Sequence, residues 1–203
     1  MRQVTIESLL DYPIEMRREA WRTAGKPTAQ VPALTARQLQ RYFIAEHSPM
    51  RMTLFRATCE YMNYFTHIHF VRHTFLQPFV VSHRPDKTGQ ARTLADTVTM
   101  TLVGNAQAWI DMMQVRLCYK SASDTQAWAV AIKQAFAATH PEFAACLVPQ
   151  CVYRYSCSEP KTCGWFEQQD PPMPITERYA WYAEKIRSES ESRRKHPEAR
   201  WVK

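Results

Sequence analysis

The sequence predicts one domain of mixed α and β structure, and three observations carry that expectation. Residues 105–119 (NAQAWIDMMQVRLCY) set Ala, Trp, Met and Val at helical spacing. Residues 51–60 (RMTLFRATCE) and 97–103 (TVTMTLV) instead alternate or are rich in β-branched residues, as strands are. A chain of 203 residues is long enough for one real hydrophobic core.

Taken in order, residues 5–24 (TIESLLDYPIEMRREAWRTA) read as a helix after Thr5, interrupted or kinked at Pro13 and ended by Gly25-Lys26-Pro27. Leu34 to His47 gives a second helix with Thr35 as N-cap, broken by Ser48-Pro49. After the 51–60 strand come a helix over 63–73 and a short strand at Phe79-Val80-Val81. Residues 85–96 (PDKTGQARTLAD) are polar loop. Thr125 to His140 is an amphipathic helix capped by Ser123 or Asp124 and stopped by Pro141, with one more turn before Pro149. Residues 150–174, rich in Cys, Pro and Tyr, read as irregular. Ile175 to about Ser190 is helical, and ESRRKHPEARWVK is a charged tail. The domain therefore spans 1–174, with a helix and tail over 175–203.

Bulk properties narrow the partners. The net charge of +7 suits nucleic acid, nucleotides or other anions. No apolar run approaches a membrane span, and residues 1–25 mix charges through an apolar pattern unlike a signal peptide, so the cytoplasm is the expected compartment. Only four glycines occur, with no GxGxxG and no P-loop, so any nucleotide must be held by side chains and helix ends.

Two stretches carry the candidate chemistry. In HIHFVRHTFLQPFVVSHR (67–84), helical spacing sets His69, Arg72 and His73 on one face. The following strand delivers Ser82 and Arg84, a hydroxyl and a guanidinium suited to phosphate or carboxylate. In the second stretch Asn105 and Arg116 lie about three helical turns apart on nearly one face, with Met112 between them. They either bracket a flat ligand or are an N-capping Asn and a surface Arg.

The first stretch resembles the signature of the flavin-dependent thymidylate synthases, the ThyX family: Arg-His-Arg, seven residues, Ser, then x-Arg. Here Arg72-His73-Thr74, Ser82 and Arg84 fill it, with Thr74 in place of the third basic residue. The second resembles that family's helix of Asn-x-Arg and a later Arg, with Asn105, Gln107 and Arg116 in those places. His47 before Ser48-Pro49 is similar to the family's His ahead of a Thr-Pro pair, and equally suits a helix C-terminus. The resemblance covers about residues 42–140.

It implies an α+β fold with helices packed around a twisted, mainly antiparallel sheet, in a homotetramer whose sites lie between subunits. It implies C5 methylation of dUMP to dTMP, with methylenetetrahydrofolate, FAD and NADPH. Arg116 and His47 would be catalytic, and His69, Ser82, Arg84 and Arg116 would hold the nucleotide. Arg72, His73, Thr74, Asn105, Gln107 and Lys120 would face the flavin. Thr74, Phe79, Val80, His69, Gln107 and Lys120 all depart from the family pattern, which keeps open dCMP as substrate, hydroxymethylation in place of methylation, or loss of activity.

Six cysteines in a chain with no secretory signal read as free thiols or metal ligands. Cys118, Cys151, Cys157 and Cys163 are the set for a structural zinc, although five-residue gaps are wider than the usual zinc spacing. The segment CVYRYSCSEPKTCGW is a candidate cover for an active site, since long irregular stretches in compact domains are often functional. The main rival reading is nucleic-acid binding, resting on charge, the tail RRKHPEAR and abundant Tyr and Trp.

Overall fold

The computed structural model describes residues 2–195 except Arg92 and Leu94. Its centre is a four-stranded antiparallel sheet of order β1-β2-β4-β3, formed by β1 (Gln3–Ser8), β2 (Phe55–Asn63), β3 (Gln77–Val80) and β4 (Thr97–Gly104). In β2, Phe55, Ala57 and Cys59 are buried, and in β4 Val98, Met100 and Leu102, so each strand turns alternate side chains into the core. Helices α1 (Tyr12–Thr23), α2 (Ala36–Ile44), α5 (Ala106–Arg116), α6 (Ser123–Thr139) and α7 (Pro141–Ala144) contribute to that core. Phe55 stacks on Phe143, and Phe136 meets Trp109 edge-on. Between β2 and β3 runs α3 (Tyr64–Val71), after β3 a single turn α4 (Pro85–Thr88), and towards the end α8 (Gln150–Arg154) and α9 (Ile175–Lys195).

Several expectations hold. Thr35 caps α2 in a full capping box with Gln38, and α5 begins at Asn105. Others are corrected. The start of the supposed first helix is strand β1, whose Val4 and Ile6 follow period two and whose backbone pairs with β2. Pro13 does not kink a helix but opens α1, where its missing N–H costs nothing. The 51–60 strand is shifted: Ser48–Met52 is a 3-10 turn and β2 begins at Phe55. Neither Ser123 nor Asp124 caps α6. Instead the Asp124 carboxylate accepts hydrogen bonds from Arg2 and Thr66, tying the first strand and α3 to α6. Of the loop 85–96, the first turn is helical, and of the irregular 150–174, so is Gln150–Arg154. The end of the charged tail, residues 196–203, lies outside the described residues. No helix among the described residues is long and apolar enough to cross a membrane.

Two local devices set α5 in place. Buried Thr53 accepts a hydrogen bond from the Ala106 amide at 2.6 Å and donates to the Met50 carbonyl at 2.9 Å. Gly104 sits where a Cβ would fall 2.4 Å from Leu76 Cδ2, so a larger residue there would require the buried Leu76 side chain to shift. Thr53→Val should therefore cost about 1–3 kcal/mol by stranding the Ala106 amide, measurable as a lower midpoint of chemical unfolding with unchanged slope.

Candidate functional site

Helix α5 buries most of its surface, with Ala106, Ala108, Trp109, Ile110, Met112 and Met113 in the core and Gln107, Asp111 and Gln114 on one polar stripe. Such a helix is fixed by its surroundings, and it delivers Arg116 from its last turn as a half-buried guanidinium. Helix α3 ends at Arg72, and His73 follows, its amide bonded to the Phe70 carbonyl. The two ends meet. Arg116 Nε donates to His73 Nε2 at 2.8 Å, which leaves the imidazole proton on Nδ1.

The electrostatics of this contact are one-sided. Burial, then Arg116, then Arg72 push the His73 pKa down from 6.5 to about 4, so the ring is neutral and acts as an acceptor. Arg116 is lowered as well, by burial and by the like charge of Arg72. Among the described residues neither guanidinium makes an ion pair with a carboxylate. Two unneutralised cations around a neutral imidazole form a site that an anion would complete.

Arg116 also lines a cavity of about 330 Å³ together with His69, Gln114 and Lys120. Its opposite wall is the cysteine-rich stretch, including Cys157, Cys163 and Trp165. Trp165 stacks on Tyr119 at 4.5 Å and 18°, and Lys120 Nζ donates to Glu159 at 3.0 Å and to the Lys161 carbonyl at 2.9 Å. Sequence reasoning missed Gln114, Tyr119 and Trp165. The only signal for this wall was the length of the irregular segment.

The remaining candidates lie apart from the cluster or are committed to other contacts. Ser82 and Arg84 are exposed beyond β3, and Arg84 holds Asp86 with two hydrogen bonds at 2.9 and 2.8 Å. Thr74 is exposed. His47 lines a different, polar cavity with Arg17, Arg41 and Tyr42. At the far end of α5, about 16 Å along the axis from Arg116, the Asn105 side chain accepts from the Ala108 amide, the capping role. Gln107 donates to Glu46 and Asp111, and so is held by carboxylates.

Zinc binding by the four cysteines is not shown. Cys118, Cys151, Cys157 and Cys163 do line one cavity, as free thiols. Among the described residues no group of three or more His, Cys, Asp or Glu is arranged to hold a metal ion. Burial raises the Cys118 thiol and pushes Cys151 up to about 12.

Comparison with known proteins bears on the arrangement as a whole. No protein-family model matches the sequence, and no curated protein matches it. Solved structures do. Thymidylate Synthase X (ThyX) from Helicobacter pylori, with FAD and dUMP, superposes with a TM-score of 0.55 at 11% identity, covering 72% of this chain and 99% of that one. A second structure of flavin-dependent ThyX from Helicobacter pylori, complexed with FAD and dUMP, gives 0.56 at 11% identity over the same shares. The UMP/dUMP methylase PolB from Streptomyces cacaoi, bound with 5-Br dUMP, gives 0.52 at 12%, covering 71% of this chain and 94% of that one.

This chain has the ThyX fold. The α+β expectation, with helices around an antiparallel sheet, is met. More than a quarter of the chain lies outside the shared ThyX portion.

The state of His73 sets a pH dependence. Its folded pKa lies below the unfolded value, so the neutral ring stabilises the fold above about pH 6.5, and that contribution is lost as pH falls towards about 4. NMR should find His73 still neutral at pH 5, and His73→Gln should show a shallower loss of unfolding free energy over that interval than wild type. A ring already protonated at pH 6 would contradict this arrangement.

Proposed function

We propose that this protein is a flavin-dependent methyltransferase that converts a deoxypyrimidine monophosphate, dUMP, to dTMP, with methylenetetrahydrofolate as carbon donor and NADPH as reductant. The observation that carries this reading is the Arg72–His73–Arg116 cluster: two cations with no carboxylate partner among the described residues, on a ThyX fold. Solved structures of that fold hold FAD and dUMP, and the related PolB is a UMP/dUMP methylase.

Arg116 is the residue for the pyrimidine. Its Nε is committed to His73, which fixes the plane of the guanidinium and leaves the two Nη groups to donate to a ring carbonyl. His69 on the same cavity wall stands where the family has a glutamine against the base. Ser82 and Arg84 would grip the phosphate, Arg84 exchanging Asp86 for the nucleotide.

Arg72 and His73 fit an anionic cofactor at the mouth of the cluster, since they present positive charge and a neutral ring with no competing carboxylate. When bound, the reduced flavin supplies the hydride that completes the methyl group. Thr74 and Gln107 bring no charge to a flavin, and Gln107 and Lys120 are already tied to acidic side chains. The flavin grip therefore rests on fewer cations here than the family pattern provides.

Among the described residues, Ser82, Arg84 and His47 share no hydrogen bond or ion pair with the Arg116 cluster. A homotetramer, with its sites between subunits, is the assembly that would unite them. Exposed Phe65, Ile68, Phe75, Phe79, Val81 and Val115 supply apolar surface for it on α3, the turn after it, β3 and the end of α5.

A visible spectrum of the purified or FAD-supplemented protein should show bound flavin, and titration should show dUMP binding. Arg116→Ala should weaken dUMP by roughly 1.5–3 kcal/mol, or about 10- to 150-fold, because a charge-assisted contact is lost. Protein that takes up neither FAD nor a pyrimidine nucleotide would end this reading. Preference for dCMP over dUMP in the same titration would reassign the substrate and give His69 the role of reading the base. Salt-sensitive DNA binding without flavin would favour the nucleic-acid alternative.

A further inference from the structure

We infer that the segment Tyr155–Asp170 is the specificity-determining wall of the nucleotide site, and that a pyrimidine mononucleotide, not the flavin, occupies the cavity it shares with Arg116. This rests on the function proposed above and adds a part of the chain outside the ThyX resemblance.

Three observations lead there. The first is anchorage. Arg178, buried on α9, donates to the carbonyls of Val152, Tyr153 and Met173, and its guanidinium lies 5.0 Å from the Tyr155 ring, so it clamps both ends of the segment. In between, Lys120 holds Glu159 and the Lys161 carbonyl, and Trp165 is stacked on Tyr119 and tilted against Trp181. A stretch fixed at so many points is a built wall.

The second is size. A cavity of about 330 Å³ falls within the roughly 300–1,000 Å³ of small-molecule sites, room for a mononucleotide. The third is charge. Glu159 is neutralised by Lys120, and Glu167 accepts a hydrogen bond from Thr162 at 2.7 Å, so neither carboxylate of the wall is paired with Arg116. The guanidinium remains the group that selects an anionic or carbonyl-bearing ligand.

The thiols in this wall report its occupancy. Cys163 is exposed and Cys157 half-buried, and both line the cavity. Cys59 and Cys146 are buried in the core, with thiols pushed up to about 12, and serve as internal controls that stay unmodified while the fold is intact.

The test is iodoacetamide labelling of the full chain, read per cysteine by mass spectrometry, with dUMP, dCMP, FAD or nothing added, beside calorimetric titration of each ligand. A bound mononucleotide at 100 times its Kd should slow alkylation of Cys157 and Cys163, up to about 100-fold if only the free form reacts. Trp165→Ala should weaken the mononucleotide about tenfold or more, with Trp165→Phe restoring most of it and FAD affinity unchanged.

Calorimetric binding of dUMP with unchanged alkylation of both thiols would overturn the inference and leave the proposed function standing. So would protection by FAD alone, or dUMP affinity indifferent to Trp165→Ala. If no pyrimidine nucleotide binds the wild-type chain at all, the proposed function fails and this inference with it.

Discussion

The burial of helix α5 is the constraint on which the rest of the site depends. A helix with Trp109, Met112 and Met113 in the core cannot rotate without opening cavities or exposing apolar surface. Thr53 secures its first amide, Asn105 caps its first turn, and Gly104 leaves room for Leu76 against its base. Arg116 is thus placed by the packing of the opposite end of its own helix. The hydrogen bond to His73 then joins two segments 43 residues apart in sequence.

That hydrogen bond has an unusual electrostatic character. Some surface cations here hold a carboxylate, as Arg84 does with Asp86 and Arg56 with Glu7. Such exposed pairs contribute little to stability. Arg72 and Arg116 lie beside a histidine held neutral by their charge and by burial. The folded chain therefore holds an uncompensated positive field at one place, a cost to stability that a functional anion would offset.

Similarity of fold at 11–12% identity means that the backbone framework persists while most side chains differ. The departures from the family signature have structural uses in this chain. Gln107 bridges Glu46 and Asp111, and Lys120 ties down the cysteine-rich segment. Lys120 is here a fastening for the wall of a cavity.

Local chemistry in the sequence determined a good deal by itself. The capping box at Thr35, the helix starting at Asn105, the β4 strand and the turn after Pro141 all follow from interactions within a few residues. Arg72, His73 and Arg116 were legible for the same reason: motif spacing is a local property. Tertiary structure decided the rest. Residues 3–8 are a strand because β2 is there to pair with them, and Asp124 serves Arg2 and Thr66 in preference to its own helix. The cysteines share a cavity, a meeting of separate elements that no spacing along the chain encodes. Trp165 and Gln114 became site residues only when the irregular segment folded back over α5. Sequence periodicity reports a residue's own element, whereas a cavity is made by elements that meet from far apart.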